Sequence, residues 1–204
     1  MPSKVSICNM ALGYLQHGIR IAALDEGSNE ADQCSLYYEP ALRSALRAGP
    51  WSFATQYATL ANLGAPAAPG WTLMYAYPAD AVAIRAILPV IRGTPPHRFR
   101  VARSAVLGRV ILCDVGDAVA EYTAYVDDPN AYDPQFVTAL AWQLASEMAP
   151  VLTGSPQAKA AADQQLARAI NAAFVSNGSE GVGEPAVEAE WVRARFETSV
   201  MDNE

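Results

Sequence analysis

Residues 133–156 read DPQFVTALAWQLASEMAPVLTGSP, and the fold follows from this stretch. Asp133-Pro134 is a cap with proline at the first helical position, where the missing N–H has no partner to lose. Phe136, Val137, Leu140, Ala141, Leu144 and Met148 then recur at helical spacing. Pro150 weakens the last turn and Gly154 ends the helix. Ser155-Pro156 repeats the starting device, and Ala162, Leu166, Ile170 and Phe174 carry a four-residue stripe to a stop at Asn177-Gly178. Two helices with so short a connection must form an antiparallel hairpin.

A second pair of helices opens the chain. Between Ser3 and Gln16, Ile7, Ala11 and Leu15 fall four apart, with Val5, Cys8 and Leu12 beside them. His17-Gly18 ends that helix, and His17 is expected to support its C-terminal dipole. Asp25-Glu26-Gly27-Ser28 signals the next start, with Glu30 and Asp32 suited to the positive end. Cys34, Tyr38, Leu42 and Ala45 form its stripe, Arg43 and Arg47 suit its last turn, and Gly49-Pro50 stops it.

The middle has a different period. Val82, Ile84, Ile87, Leu88, Val90 and Ile91 are β-rich, Phe99 and Val101 alternate with Arg98 and Arg100, and Val110 to Cys113 is a short apolar run. Residues 119–126 alternate again, and Gly108 and Asp114 to Asp117 supply turns. The expected class is α+β. Residues 1–56 and 130–177 form an antiparallel bundle of two N-terminal and two C-terminal helices. Residues 57–129 form an inserted antiparallel β-sheet, and residues 178–204 an extended C-terminal arm.

Composition narrows the function. Hydrophobic residues make up 51% and charged ones 17% of the 204, enough apolar surface for a real core. A net charge of −7 argues against general coating of nucleic acid. Cys8, Cys34 and Cys113 are an odd number without close spacing, which reads as buried thiols in a reducing compartment. No charge occurs from Ala48 to Ala79, but Pro50, Pro66, Pro69 and Pro78 interrupt that stretch too often for a membrane span. The first residues show no signal-peptide pattern, so synthesis and use inside a cell, or in a particle assembled there, are expected.

Catalytic patterns are sparse. His17 and His97 are the only histidines, and no Cys-x-x-Cys, nucleophile elbow or phosphate-cradling loop occurs. Glu30 with Asp32, or Asp114 with Asp117, could be argued as a hydrolytic carboxylate pair. Helix-start and turn roles explain them better. Neither an enzyme activity nor a cofactor or metal is therefore expected.

Charge is distributed unevenly. Ala81 to Cys113 holds six arginines and no acid, whereas Asn177 to Glu204 holds seven acids against Arg193 and Arg195. Arg98, Arg100 and Arg103 are accordingly expected to form a docking surface for acidic groups. The arm residues Trp191, Val192, Arg193 and Phe196 are expected to bind a neighbour, with aromatic burial supplying most of the energy. Pro50, Trp51 and Phe53 are expected to lock the sheet insertion onto the bundle.

The sequence resembles the tail tubular protein A family, the head-to-tail adaptors of short-tailed bacteriophages. The likeness starts with Ile7-Cys8-Asn9-Met10-Ala11-Leu12-Gly13-Tyr14-Leu15 and continues through Leu24 to Ala31, Cys34 to Tyr38 and Leu42-Arg43. Pro50-Trp51-Ser52-Phe53-Ala54-Thr55 is its most telling part. Tyr75 to Asp80, Tyr122 to Pro129 and the closing hairpin follow in order, so the likeness spans roughly residues 5–175. It implies a homo-oligomeric ring, commonly of twelve copies, beneath the portal protein, with the tail nozzle protein on its other side. Double-stranded DNA would be retained and later pass through the lumen without sequence-specific binding, and no membrane would be involved. The implied location is the virion at the head–tail interface, assembled in the bacterial host cytoplasm. The runner-up function is a tail-associated peptidoglycan or polysaccharide hydrolase, and a third is a DNA-binding component of packaging.

Overall fold

In the computed structural model of the chain, residues 2–66, 68–89 and 97–179 are described. The expected arm residues Trp191, Val192, Arg193 and Phe196 lie outside them. Helix α1 (Lys4–Tyr14) starts at a capping box in which Ser3 and Ser6 each accept from the other's backbone N–H. Helix α2 (Asn29–Ala48) starts at Ser28, whose hydroxyl accepts from the Ala31 N–H. The chain then passes a single 3-10 turn at Ser52–Ala54 and enters strand β1 (Thr55–Thr59). Strands β2 (Leu73–Ala76), β3 (Ala81–Leu88), β4 (Phe99–Ser104), β5 (Gly108–Cys113) and β6 (Val119–Ala124) follow. Helix α3 (Pro134–Thr153) begins at Asp133 and ends at Gly154 in the left-handed region, with φ of 60°. Helix α4 (Pro156–Ser179) runs back along it. The fold is α+β.

The β region differs from the single sheet expected. It forms two three-stranded antiparallel sheets, ordered β1-β6-β3 and β2-β5-β4. Tyr75, Ile111 and Cys113 of one sheet and Ile87, Ala120, Tyr122 and Ala124 of the other belong to one buried cluster. A single layer would leave that apolar set in water, so the strands divide into two layers that cover each other. The turn around Asp114 to Asp117, with Asp117 at φ 50°, carries the chain from one layer to the other.

The larger core lies among the helices. Ile7 and Leu12 of α1, Leu42 and Leu46 of α2, and Phe136, Leu140, Leu144 and Met148 of α3 are fully buried there. Val82 of β3 joins them, so the β1-β6-β3 sheet turns its other face to the bundle. Cys8, Cys34 and Cys113 are all buried free thiols, and burial pushes Cys113 upward in pKa. Among the described residues, no helix is long and apolar enough to cross a membrane.

Candidate interface surfaces

The end of α2 meets α3 and α4 around Trp51. Its ring is 1% exposed, and its Nε1 donates to the Ala45 carbonyl at 2.9 Å. Phe136 stands edge-on at 5.0 Å between centroids, and Phe53 and Phe174 stack at 6.5 and 5.1 Å. Phe53 is half-buried and touches Tyr132 and Phe136, while Pro50 is exposed. The Pro50 carbonyl accepts from Asn177 Nδ2 at 2.9 Å, and Asn177 Oδ1 accepts from the Ser52 N–H at 2.7 Å. One amide thus ties the last turn of α4 to the stop of α2. Asn177 does not end α4, which runs two residues further.

Arg85 of β3 makes the second joint. Its Nη2 donates to the carbonyls of Leu46, Arg47 and Gly49, and its Nε to Thr123 Oγ1. These carbonyls are the unpaired C-terminal acceptors of α2, so a strand residue caps a helix of the bundle. Burial, reinforced by the nearby charge of Arg47, draws the Arg85 pKa down.

Two family-like motifs have plain structural work. The Asn9 side-chain amide pairs in both directions with the backbone of Ile21 at 2.9 Å, closing the loop after α1. Glu26 accepts from the N–H groups of Ala22 and Ala23 and from the Ser28 hydroxyl, which holds its carboxyl below the usual range. His17 does not serve its own helix end as expected. Its Nε2 lies 2.9 Å from Glu30 Oε1 in the first turn of α2, and this contact lowers the Glu30 pKa.

The expected arginine surface is divided. Arg98 is bonded to Asp114 at 2.7 Å and to the Gly70 carbonyl, and its guanidinium lies over the Trp71 ring. Asp114 also accepts from Thr72, and these bonds, Arg98 foremost, hold its carboxyl low. Arg100 and Arg103 are exposed on β4, three positions apart and therefore on opposite faces. The three do not form one basic face.

A different set of arginines does converge. Arg43, Ser44 and Arg47 of α2, Ala81 and Val82 of β3, and Arg109 of β5 line an open cavity of about 410 Å³. Arg43 lies over the Tyr125 ring at 4.3 Å and pairs with Glu39 at 2.8 Å. Arg47 Nη1 donates to the Val82 carbonyl at 3.0 Å, and Arg109 lies 3.8 Å over the Tyr77 ring. Among the described residues, Arg47 and Arg109 have no carboxylate partner. Sequence spacing could not find this site, because it unites residues of α2 and β5 that only the two-layer packing brings together.

The β4–β5 hairpin carries Val106, 90% exposed, and Leu107, 50% exposed. Ser104 Oγ accepts from both their N–H groups, and Gly108 takes a φ of +72° to start β5. The tip is a defined turn with its apolar residues outward. Among the described residues, no group of three or more His, Cys, Asp or Glu side chains could hold a metal ion.

No protein-family model matches this chain, and no curated protein matches it either.

Proposed function

We propose that the protein is a structural head-to-tail adaptor of a short-tailed bacteriophage. It forms a ring between the portal protein and the tail nozzle protein, and DNA is held behind this ring and later released through it. The ring assembles in the host cytoplasm and resides in the virion. The observation that carries this reading is the β4–β5 tip, where Val106 and Leu107 lie exposed on an ordered turn. Adjacent large apolar residues on a defined turn suit insertion into another subunit. The motifs that resemble the family support the same reading, with Asn9 and Glu26 closing the loop between α1 and α2 and Trp51 bonded to the last turn of α2.

The test is the double variant Val106→Asp with Leu107→Asp, mixed with the portal protein and sized by analytical ultracentrifugation. The expected outcome is lost association with an unchanged urea midpoint, since neither side chain supports a core. Undiminished association would remove the tip from the interface.

A further inference from the structure

We propose that the chain's own acidic segment, residues 180–190, docks in cis on the basic cavity of Arg43, Arg47 and Arg109. The cavity holds three guanidinium groups, and each carboxylate around it has a partner: Glu39 pairs with Arg43, Asp127 with Lys4, and Asp80, next to Ala81, accepts from the Tyr122 hydroxyl. Arg47 and Arg109 are each oriented by a contact that leaves charge over: a backbone carbonyl for one, an aromatic face for the other. Planar guanidinium groups so fixed suit carboxylates, which they bind through paired N–H donors.

The segment that leaves α4 has the matching chemistry. Residues 180–190 contain Glu180, Glu184, Glu188 and Glu190 and no basic residue. They also begin near the cavity. Asn177 is bonded to Pro50 and Ser52, and Arg47 stands three residues before Pro50. Chain geometry then puts the Cα of Ser179 within about 20 Å of that of Arg47. At roughly 3.3 Å per residue of extended chain, Glu188 and Glu190 have chain length to spare over that distance, and Glu184 has about enough once side-chain reach is added. A tethered partner of this kind acts at an effective concentration of about millimolar, which a second copy in dilute solution does not match. Nucleic acid fits less well, because phosphate backbones call for an extended basic stripe and the chain is acidic as a whole. This inference does not depend on the adaptor role, and it leaves Trp191 and Phe196 further along the chain for a neighbour.

The test uses the full chain and nuclear magnetic resonance of the arginine Nε–Hε groups and the backbone amides. In Glu184→Gln/Glu188→Gln/Glu190→Gln, the Arg47 and Arg109 signals should move to the positions the unaltered chain shows in 1 M salt, where exposed pairs are screened. In Arg47→Gln/Arg109→Gln, the amides of residues 184–190 should shift in return. Both effects should persist on tenfold dilution. Failure of either set to respond overturns the proposal. So does a response that fades on dilution, which assigns the cavity to a second copy. Arginine signals that move only when a short DNA duplex is added overturn it in favour of nucleic acid.

Discussion

Gly49 leaves the space that the Phe174 ring fills: a Cβ built on Gly49 would sit 2.0 Å from Phe174 Cε1. Its φ of −152° is ordinary extended backbone, so glycine is needed for room and not for conformation. Gly49→Ala should destabilise the chain by about 1–3 kcal/mol through overpacking, measured as a lower urea midpoint. Combined with Phe174→Ala, the loss should be less than additive. Full additivity would mean that the two residues do not meet.

Trp51 closes the same junction. Because it is 1% exposed and surrounded by Phe53, Phe136 and Phe174, Trp51→Ala should cost about 3–5 kcal/mol in chemical denaturation. A midpoint unchanged within error would contradict its burial.

Arg85 links sheet to bundle through three α2 carbonyls and Thr123. Lysine keeps the charge but not the forked donors, so Arg85→Lys should cost on the order of 1–3 kcal/mol. Amide hydrogen exchange should quicken in the last turn of α2. Unaltered exchange there would show that the carbonyls do not rely on Arg85.

Among the described residues, four carboxyls are held below their ordinary range. Glu26 is held low by Ser28 and backbone N–H groups, Glu30 by His17, Asp114 by Arg98, and Asp163 by Lys159 and Ser146. Each has a folded pKa below its unfolded one. Its contribution is therefore complete above the ordinary carboxylate range of about 4 and disappears as pH falls through the lower folded values. The urea midpoint should drop below about pH 4, and Glu30→Gln should show a smaller drop from a lower starting value. A midpoint rising with acid would reverse the assignment.

The helices were legible because their signals are local. Ser28, Asp133 and Gly154 stand where capping chemistry puts them, and α2 runs unbroken to Gly49 as its stripe predicts. Strands β3 to β6 were visible as apolar or alternating runs. Strands β1 and β2 were not, because Thr55–Thr59 and Leu73–Ala76 are short and sit in a stretch without charges to mark an outer face. The division into two layers, and with it the meeting of Arg47 and Arg109 at one cavity, depends on which strands pair. Periodicity carries no information on pairing. Arg98 looked available in the sequence for the same reason: its partner Asp114 lies beyond the next hairpin.

The most direct test of the adaptor role is electron microscopy of the purified chain alone and mixed with its portal protein. The account predicts a closed ring, commonly of twelve copies, stacked coaxially on the portal and open to the nozzle protein beneath. A chain that never joins the portal, yet degrades peptidoglycan or capsular polysaccharide at enzymatic rates, would contradict it.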